Sequence, residues 1–287
     1  MERYENLQKG EKGAWLSIAA YLCLSALKLS VGYFSESEAL KADGLNNFTD
    51  IIVSVAVLIG LRVSRKPPDH NHRYGHFRAE TIATMVASMI MIAVGIQVTI
   101  AAVQSFFKPE IGAPEPIAAW TAVLCGAAMY SVYLYNHRLA KQTKSSALMA
   151  AAQDNRADAF VSLGAFLGII GSQFGLAWLD PLTAVIVGFI ILKTGANIFR
   201  EATHSLSDGF PEKELKVLKS TVKNTPGVTR VSDIRARAHG NFILLDVTIL
   251  VDKRLSVEES HSITEEIESR MKSIHRIEHV HIHIEPA

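Results

Sequence analysis

The sequence is poor in charge, in cysteine and in motifs of hydrolytic enzymes. Charged residues make up 20% of the 287 residues, whereas ordinary soluble domains have about 25%. The net charge of +1 gives no electrostatic basis for binding nucleic acid. The two cysteines lie inside apolar runs, where they are typical small hydrophobes and not a disulfide framework. No H-E-x-x-H motif or nucleophile elbow occurs, so nothing in the sequence favours a hydrolase.

Apolar residues are abundant and concentrate before residue 200. Hydrophobic residues make up 49% of the chain, and its mean hydropathy is +0.20. Six stretches reach the roughly 20 residues that a helix needs to cross a bilayer. They lie near 14–34, 40–62, 80–106, 115–135, 146–174 and 179–199. The sequence therefore predicts a membrane α-helical domain of six transmembrane helices over residues 1–206. A soluble all-α protein is the alternative, which so many long apolar stretches disfavour.

Basic residues in the short loops indicate how the chain is oriented in the membrane. The loops after the second and fourth predicted spans are rich in lysine and arginine, whereas the loops on the opposite side have few basic residues beyond Lys108. Because basic loops stay on the cytoplasmic side, we expect a multi-pass protein of the cell membrane with both termini in the cytoplasm. The basic residues of the two loops are Arg62, Arg65, Lys66, Arg73, Arg78, Arg138, Lys141 and Lys144.

Residues 207–287 have the pattern of a small α+β domain. Helical spacing of apolar residues near 212–224 is followed by two alternating, strand-like segments with a turn at His239-Gly240-Asn241. A second helix opens with Ser256 and Glu259, the spacing of a capping box. The closing segment HVHIHIE alternates as a third strand. The predicted order is αββαβ.

Polar residues inside two of the predicted spans indicate a metal site. Asp43, Asn46 and Asp50 share one face of the second span, and Asp154 and Asp158 share one face of the fifth. A carboxylate at the centre of a membrane helix costs about 2.5–3.5 kcal/mol, so several of them favour a bound cation or a water-filled cavity. If the two helices face each other, Asn46, Asp50, Asp154 and Asp158 form an all-oxygen site. Asp43, near the helix end, is an accessory candidate, with helix–helix hydrogen bonding as the alternative.

A second group of metal-ligand residue types lies in the loop after the second span. Asp69, His70, His72, His76 and Glu80 fall within PPDHNHRYGHFRAE. Mixed nitrogen and oxygen donors suit a transition metal. A solvated loop with incidental histidines is the alternative.

A third group lies in the C-terminal domain. His279, His281 and His283 alternate onto one face of the last strand, Glu285 continues that face, and His261 lies on the preceding helix. Alternation alone fits an ordinary solvent-facing strand equally well.

Taken together, these motifs resemble the cation diffusion facilitator family of metal/proton antiporters. The resemblance is carried, in order, by ADGLNNFTD, PPDHNHRYGH with RAE, DNRAD, SLSDGFP and HIHIEP, and it covers nearly the whole chain. It implies a homodimer of six-span subunits in membrane lipid, with divalent cations and protons as the transported ions. It also implies a cytoplasmic, ferredoxin-like C-terminal dimerisation domain and no catalytic activity.

The resemblance also assigns roles to individual residues. It implies a transport site of Asn46, Asp50, Asp154 and Asp158, a loop site of Asp69, His72 and His76, and a charge pair of Arg78 with Asp208 between the domains. In the C-terminal domain, His261, His283 and Glu285 match ligand positions, although Ser232 and Thr248 stand where the family has histidines.

Neither Asn46 nor Asp154 is the histidine that is usual in zinc-selective members of the family. Oxygen ligands suit manganese better than zinc, so we expect a manganese(II) exporter, with zinc(II) the next choice. An exporter of zinc, iron or cadmium, a membrane-anchored metal-dependent enzyme and a metal sensor are the alternatives.

Overall fold

The computed structural model describes residues 2–34, 38–105, 116–174, 176 and 178–287 of the chain. The chain divides into two compact units, Met1–Ala202 and Thr203–Ala287. The division falls a few residues before the predicted domain boundary, inside the last long helix. The loop around Lys108 lies outside the described residues.

Six long helices form the first unit. Each coincides with a predicted span, and all but the fifth extend beyond it at one or both ends, because a helix can continue past the hydrocarbon layer into water. Arg138 and Lys141, which the sequence assigned to a loop, lie on the last turns of the fourth helix. The helices are α1 (Glu2–Phe34), α2 (Glu38–Ser64), α3 (Arg78–Ser105), α4 (Pro116–Thr143), α5 (Ser146–Gln173) and α6 (Leu179–Leu206).

Three segments of the described residues are long and apolar enough to cross a membrane by composition alone: Asn6–Phe34, Arg78–Gln104 and Pro116–Thr143. They belong to α1, α3 and α4. The helices α2 and α5 carry the buried aspartates of the predicted metal site. The sequence of α6 contains a clear apolar run. Among the described residues, however, α6 is not one of the three segments that meet the length and composition of a membrane span.

The polar start of α1 extends this helix well before the predicted span. Glu11 lies 2.7 Å from the guanidinium of Arg65 and 3.7 Å from that of Arg62, both near the end of α2. These ion pairs join the N-terminal turns of α1 to the C-terminal turns of α2. A search for apolar runs misses this extension, because its residues are polar and stabilised by charge.

The helices α1, α2, α4 and α5 pack together around the polar residues of the unit. One apolar cluster, centred on Tyr21, Cys125 and Met129, joins α1 to α4. The helix α3 packs against α2 and α5. It also approaches α6 closely at Gly188, where a Cβ atom would lie only 2.3 Å from Thr99 Oγ1. Apolar side chains that face outward on α3 and α6 are exposed, as expected for helices that border lipid.

The second unit has the predicted αββαβ order. Strands β1 and β2 are antiparallel, and β3 lies parallel to β2, giving the sheet order β1-β2-β3. Helices and sheet bury a common apolar core that includes Leu245, Ile249, Ile267 and Met271. The elements are α7 (Glu212–Lys223), β1 (Arg230–His239), β2 (Phe242–Val251), α8 (Val257–His275) and β3 (His279–Pro286).

The helix α8 begins with the predicted capping box. The Ser256 hydroxyl accepts from the backbone N–H of Glu259, and the Glu259 carboxylate accepts from the backbone N–H of Ser256. The hydrogen bond from the Ser256 backbone N–H, together with one from the Ser256 hydroxyl, holds the pKa of the Glu259 carboxyl below its usual range.

Candidate metal centre

Three carboxylates from α2 and α5 meet inside the first unit. Asp50, Asp154 and Asp158 are buried, with 2%, 6% and 5% of their surface exposed. Each offers a carboxylate oxygen within 4.8 Å of the oxygens offered by the other two. The i, i+4 spacing of Asp154 and Asp158 places them on one face of α5, and that face lies against the face of α2 that carries Asp50. Three such groups could surround one divalent cation.

The fourth predicted ligand is Asn46. Its backbone belongs to α2, and its side chain lies outside the described residues. The coordination set therefore rests on the three aspartates, and the role of Asn46 stays a prediction.

Asp43 lies in a separate, charged cluster. Its Oδ2 atom is 2.7 Å from Nζ of Lys28, a fully buried lysine of α1. The same ammonium donates to Asn47 Oδ1 at 3.3 Å and to Ser162 Oγ at 3.2 Å. Asp43 has a protein cation as its partner, so the structure assigns it to an interhelical ion pair and not to the three-aspartate group. It was an accessory candidate in the sequence.

Two residues of α1 that were not predicted from the sequence contact this region. Lys28 forms the ion pair with Asp43, and the hydroxyl of Tyr21 contacts Asp154 and Asp158. A lysine inside an apolar span is itself a signal, because a buried cation needs a partner. Tyr21 gives no such signal, since tyrosine is common in membrane helices.

Arg156 lies between Asp154 and Asp158 in the sequence but points elsewhere. Its guanidinium carbon is 5.7 Å from the centre of the Tyr133 ring on α4, a cation–π distance. The Tyr133 ring is therefore a partner of Arg156, which is close to Asp154 and Asp158 in the sequence but does not neutralise them.

The loop between α2 and α3 brings Asp69, His72 and His76 together. Each offers one ligand atom within 4.8 Å of the others. Asp69 Oδ1 lies 3.3 Å from Nδ1 of His72, and Asp69 Oδ2 lies 3.5 Å from Nε2 of His76. Asp69 and His72 are exposed, whereas only 14% of the His76 side chain is exposed.

The backbone of this loop holds the Asp69 carboxylate in place. Asp69 Oδ1 accepts from the backbone N–H groups of His72 at 2.7 Å and Asn71 at 2.9 Å. The hydrogen bond from the His72 backbone is the main reason that the pKa of the Asp69 carboxyl is lowered. The loop therefore presents an ionised oxygen ligand beside two imidazoles.

Glu80, the last acidic residue of the predicted loop group, has a different position. It is 1% exposed, and its Oε1 atom accepts from the backbone N–H of Ala147 at 3.4 Å, in the first turn of α5. A carboxylate there satisfies an N–H group that the helix leaves unpaired. Glu80 is thus a cap of α5 and lies outside the three-residue loop group.

The C-terminal candidates do not form a three-ligand group within one chain. His261 lies 3.7 Å from Glu265 on α8, and His283 lies 3.9 Å from Glu285 on β3. Among the described residues, only the three-aspartate group and the loop group bring three potential metal ligands together.

Arg78 and Asp208, the predicted charge pair, belong to different units. Arg78 is the first residue of α3. Asp208 has a φ angle of 60°, and its carboxylate lies 3.9 Å from the guanidinium of Arg237 in its own unit. The pairing of Arg78 with Asp208 stays a prediction.

Two family profiles match the chain in tandem. The profile described as "Cation efflux transmembrane domain" matches residues 14–207, and "Cation efflux protein, cytoplasmic domain" matches residues 210–287. The chain belongs to the cation efflux family. The predicted resemblance to the cation diffusion facilitators is thereby confirmed: the protein is a transporter and not an enzyme, with a helical membrane domain and a cytoplasmic α+β domain.

Three relatives match this chain over nearly their full length. "Manganese efflux system protein MneS" of Bacillus subtilis (strain 168) is 56% identical over 286 residues, covering 100% of this chain and 99% of the relative. "Uncharacterized transporter YdbO" of the same strain is 54% identical with the same coverage. "Manganese efflux system protein MneP", also of this strain, is 33% identical over 292 residues and covers 98% of both chains.

Proposed function

We propose that this member of the family exports manganese(II) across the cell membrane in exchange for protons, using Asp50, Asp154 and Asp158 as the transport site. The observation that carries the proposal is the convergence of three buried carboxylates within 4.8 Å inside the helical bundle. So many carboxylates are costly at membrane depth unless a cation offsets their charge. Asn46 is the proposed fourth ligand.

The chemistry of the ligands supports manganese as the ion. The three described side chains supply only oxygen donors, which suit hard divalent ions, whereas imidazole and thiolate suit zinc. Two of the full-length relatives carry manganese in their names. Zinc is the next choice, followed by iron and cadmium.

The charge of the site supports exchange for protons. Three ionised carboxylates carry three negative charges, and a divalent cation offsets two of them. When the cation leaves, carboxylates this close repel one another, so protons from the outside take its place. Rearrangement of the helices then returns the protons to the cytoplasm, and the inward proton gradient drives export.

The same proposal covers the loop, the orientation and the assembly. Asp69, His72 and His76 form a second metal site, in a cytoplasmic loop. Both termini lie in the cytoplasm, and the chain works as a homodimer through its C-terminal domain. The proposal does not extend to His261, His283 and Glu285.

A flux measurement in vesicles tests this function. Purified protein is reconstituted with a metal-sensitive dye, and uptake is followed for manganese, zinc, iron, cobalt and cadmium with and without a pH gradient. We expect manganese flux that increases with the gradient and exceeds zinc flux. Asp50→Asn and Asp158→Asn each keep the size of the side chain and remove its charge, so each reduces the flux to that of protein-free vesicles.

Glu268→Gln is the matched control, because Glu268 is an exposed carboxylate on α8, far along the chain from the proposed ligands. Its flux should equal that of the wild type. Wild-type flux in both aspartate variants would refute the proposed site. Manganese flux that does not depend on the pH gradient would refute the exchange for protons.

A further inference from the structure

Tyr21 on α1 contacts two of the three proposed ligands. Its side chain is fully buried. Its hydroxyl lies 3.1 Å from Asp154 Oδ2 and is also within hydrogen-bonding distance of Asp158 Oδ2. The hydroxyl therefore bridges the two carboxylates of α5 on their Oδ2 side. The Oδ1 atom of each carboxylate takes no part in this bridge.

A neighbouring amide fixes the direction of these hydrogen bonds. Asn155 Nδ2 donates to the Tyr21 hydroxyl oxygen at 3.1 Å. With its oxygen already accepting, the tyrosine directs its own proton toward the carboxylates, which can only accept when ionised. Tyr21 is thus a donor to the site.

The Asn155 amide is in turn held by two further side chains. Asn155 Oδ1 accepts from Ser17 Oγ at 3.0 Å and from Asn136 Nδ2 at 3.0 Å. Asn136 Nδ2 also lies 2.8 Å from Ser17 Oγ. Asn136, Asn155 and Ser17 are fully buried and come from α4, α5 and α1. A buried network of this kind restricts the rotation of each member, because a lost partner is costly away from water.

We propose that Tyr21 is a positioning residue of the transport site, holding Asp154 and Asp158 in the arrangement that receives the ion. The inference rests on the proposed function. Two adjacent carboxylates repel each other, and a donor shared between them opposes that repulsion before the ion arrives. Partners of this kind orient metal ligands and contribute to affinity without touching the metal. The site is therefore built from three helices, with α1 supplying a hydroxyl donor to the two aspartates of α5.

The test is the concentration dependence of manganese flux in Tyr21→Phe, which removes only the hydroxyl. We expect the apparent KM for manganese to rise about tenfold, the lower end of the losses seen when a ligand's partner is removed. The maximal rate should stay within about twofold of the wild type, because the ligands themselves remain.

Ser25→Ala is the matched control on the same helix. Ser25 is buried, and its hydroxyl donates to the backbone carbonyl of Gly44 on α2 at 2.7 Å, so the variant also loses a buried interhelical hydrogen bond. It should leave the KM unchanged. Melting temperatures of both variants show whether a general loss of packing explains any difference.

The outcomes separate this inference from the function on which it rests. An unchanged KM in Tyr21→Phe, or an equal rise in Ser25→Ala, overturns the positioning role. If the wild type moves no manganese, or Asp158→Asn moves it normally, the proposed function fails whatever Tyr21 does. Should Tyr21→Phe not fold, Asn155→Ala is measured instead; its KM should rise by about threefold or more, since it releases the Tyr21 hydroxyl, and an unchanged KM there also overturns the inference.

Discussion

At the residue scale, Lys28 gives the membrane domain a positive charge of its own. It is fully buried, pairs with Asp43 and also donates to Asn47 and Ser162, so it connects α1 to α2 and α5. Asp43 precedes Asp50 by seven positions, about 10 Å along a helix. The ion pair is thus a separate feature from the three-aspartate group, and it fixes the packing of the same helices.

Lys28→Met tests this pairing. The substitution leaves Asp43 buried without a counter-charge, so the free energy of unfolding should fall by about 3–5 kcal/mol, the usual cost of breaking a buried pair. The measurement is the loss of folded protein on heating or in denaturant, in detergent solution.

The double variant Lys28→Met/Asp43→Asn is the control for side-chain size and packing. It removes both charges, so most of the lost stability should return. A double variant as unstable as Lys28→Met alone would contradict a structural role for the charge pair.

At the element scale, the loop between α2 and α3 is shaped by its own hydrogen bonds. Asp69 accepts from two backbone N–H groups, and Gly75, with a φ of 82°, allows the backbone to return toward α3. The loop thus brings Asp69, His72 and His76 together. Such a preformed arrangement favours metal binding, because little ordering is needed when the ion arrives.

Asp69→Asn separates the charge of the ligand from the shape of the loop. Asparagine keeps the Oδ1 acceptor for the backbone N–H groups of Asn71 and His72 but has no negative charge. Metal affinity of the loop should fall about tenfold or more, since even outer partners of metal ligands contribute that much. Calorimetric titration in an Asp50→Asn/Asp158→Asn background isolates the loop from the transport site.

The pH dependence of this loop has a defined sign. Backbone hydrogen bonds lower the pKa of the Asp69 carboxyl, so this ligand stays ionised to lower pH than an ordinary aspartate. On acidification, the wild-type loop should therefore lose its metal at a pH at which the Asp69 carboxyl is still ionised. Affinity unchanged by Asp69→Asn at neutral pH would contradict its role as a ligand.

The elements themselves could largely be predicted from the sequence. Apolar length indicated the six long helices, and alternation with the capping box at Ser256 and Glu259 indicated the αββαβ order, because both signals are local and periodic. The start of α1 could not be predicted, since Glu11 is stabilised by Arg62 and Arg65, which lie far along the chain.

At the scale of the whole molecule, the convergence of Asp50, Asp154 and Asp158 could be predicted, and the side chains that surround them could not. Asp50, Asp154 and Asp158 stand at helical spacing inside apolar spans, a pattern that predicts facing polar surfaces. Lys28 inside an apolar span indicates that a partner exists but not which residue it is, and Tyr21 gives no signal at all. Their roles depend on how α1 packs against α2 and α5, which composition and spacing do not specify.

Anomalous diffraction from crystals of the full chain soaked in manganese would locate the cargo itself. The three-aspartate site predicts a manganese peak between α2 and α5, within coordination distance of Asp50, Asp154 and Asp158, and its loss in Asp158→Asn. Manganese found only at the loop, or a peak between the helices that persists in Asp158→Asn, would contradict joint coordination by these carboxylates.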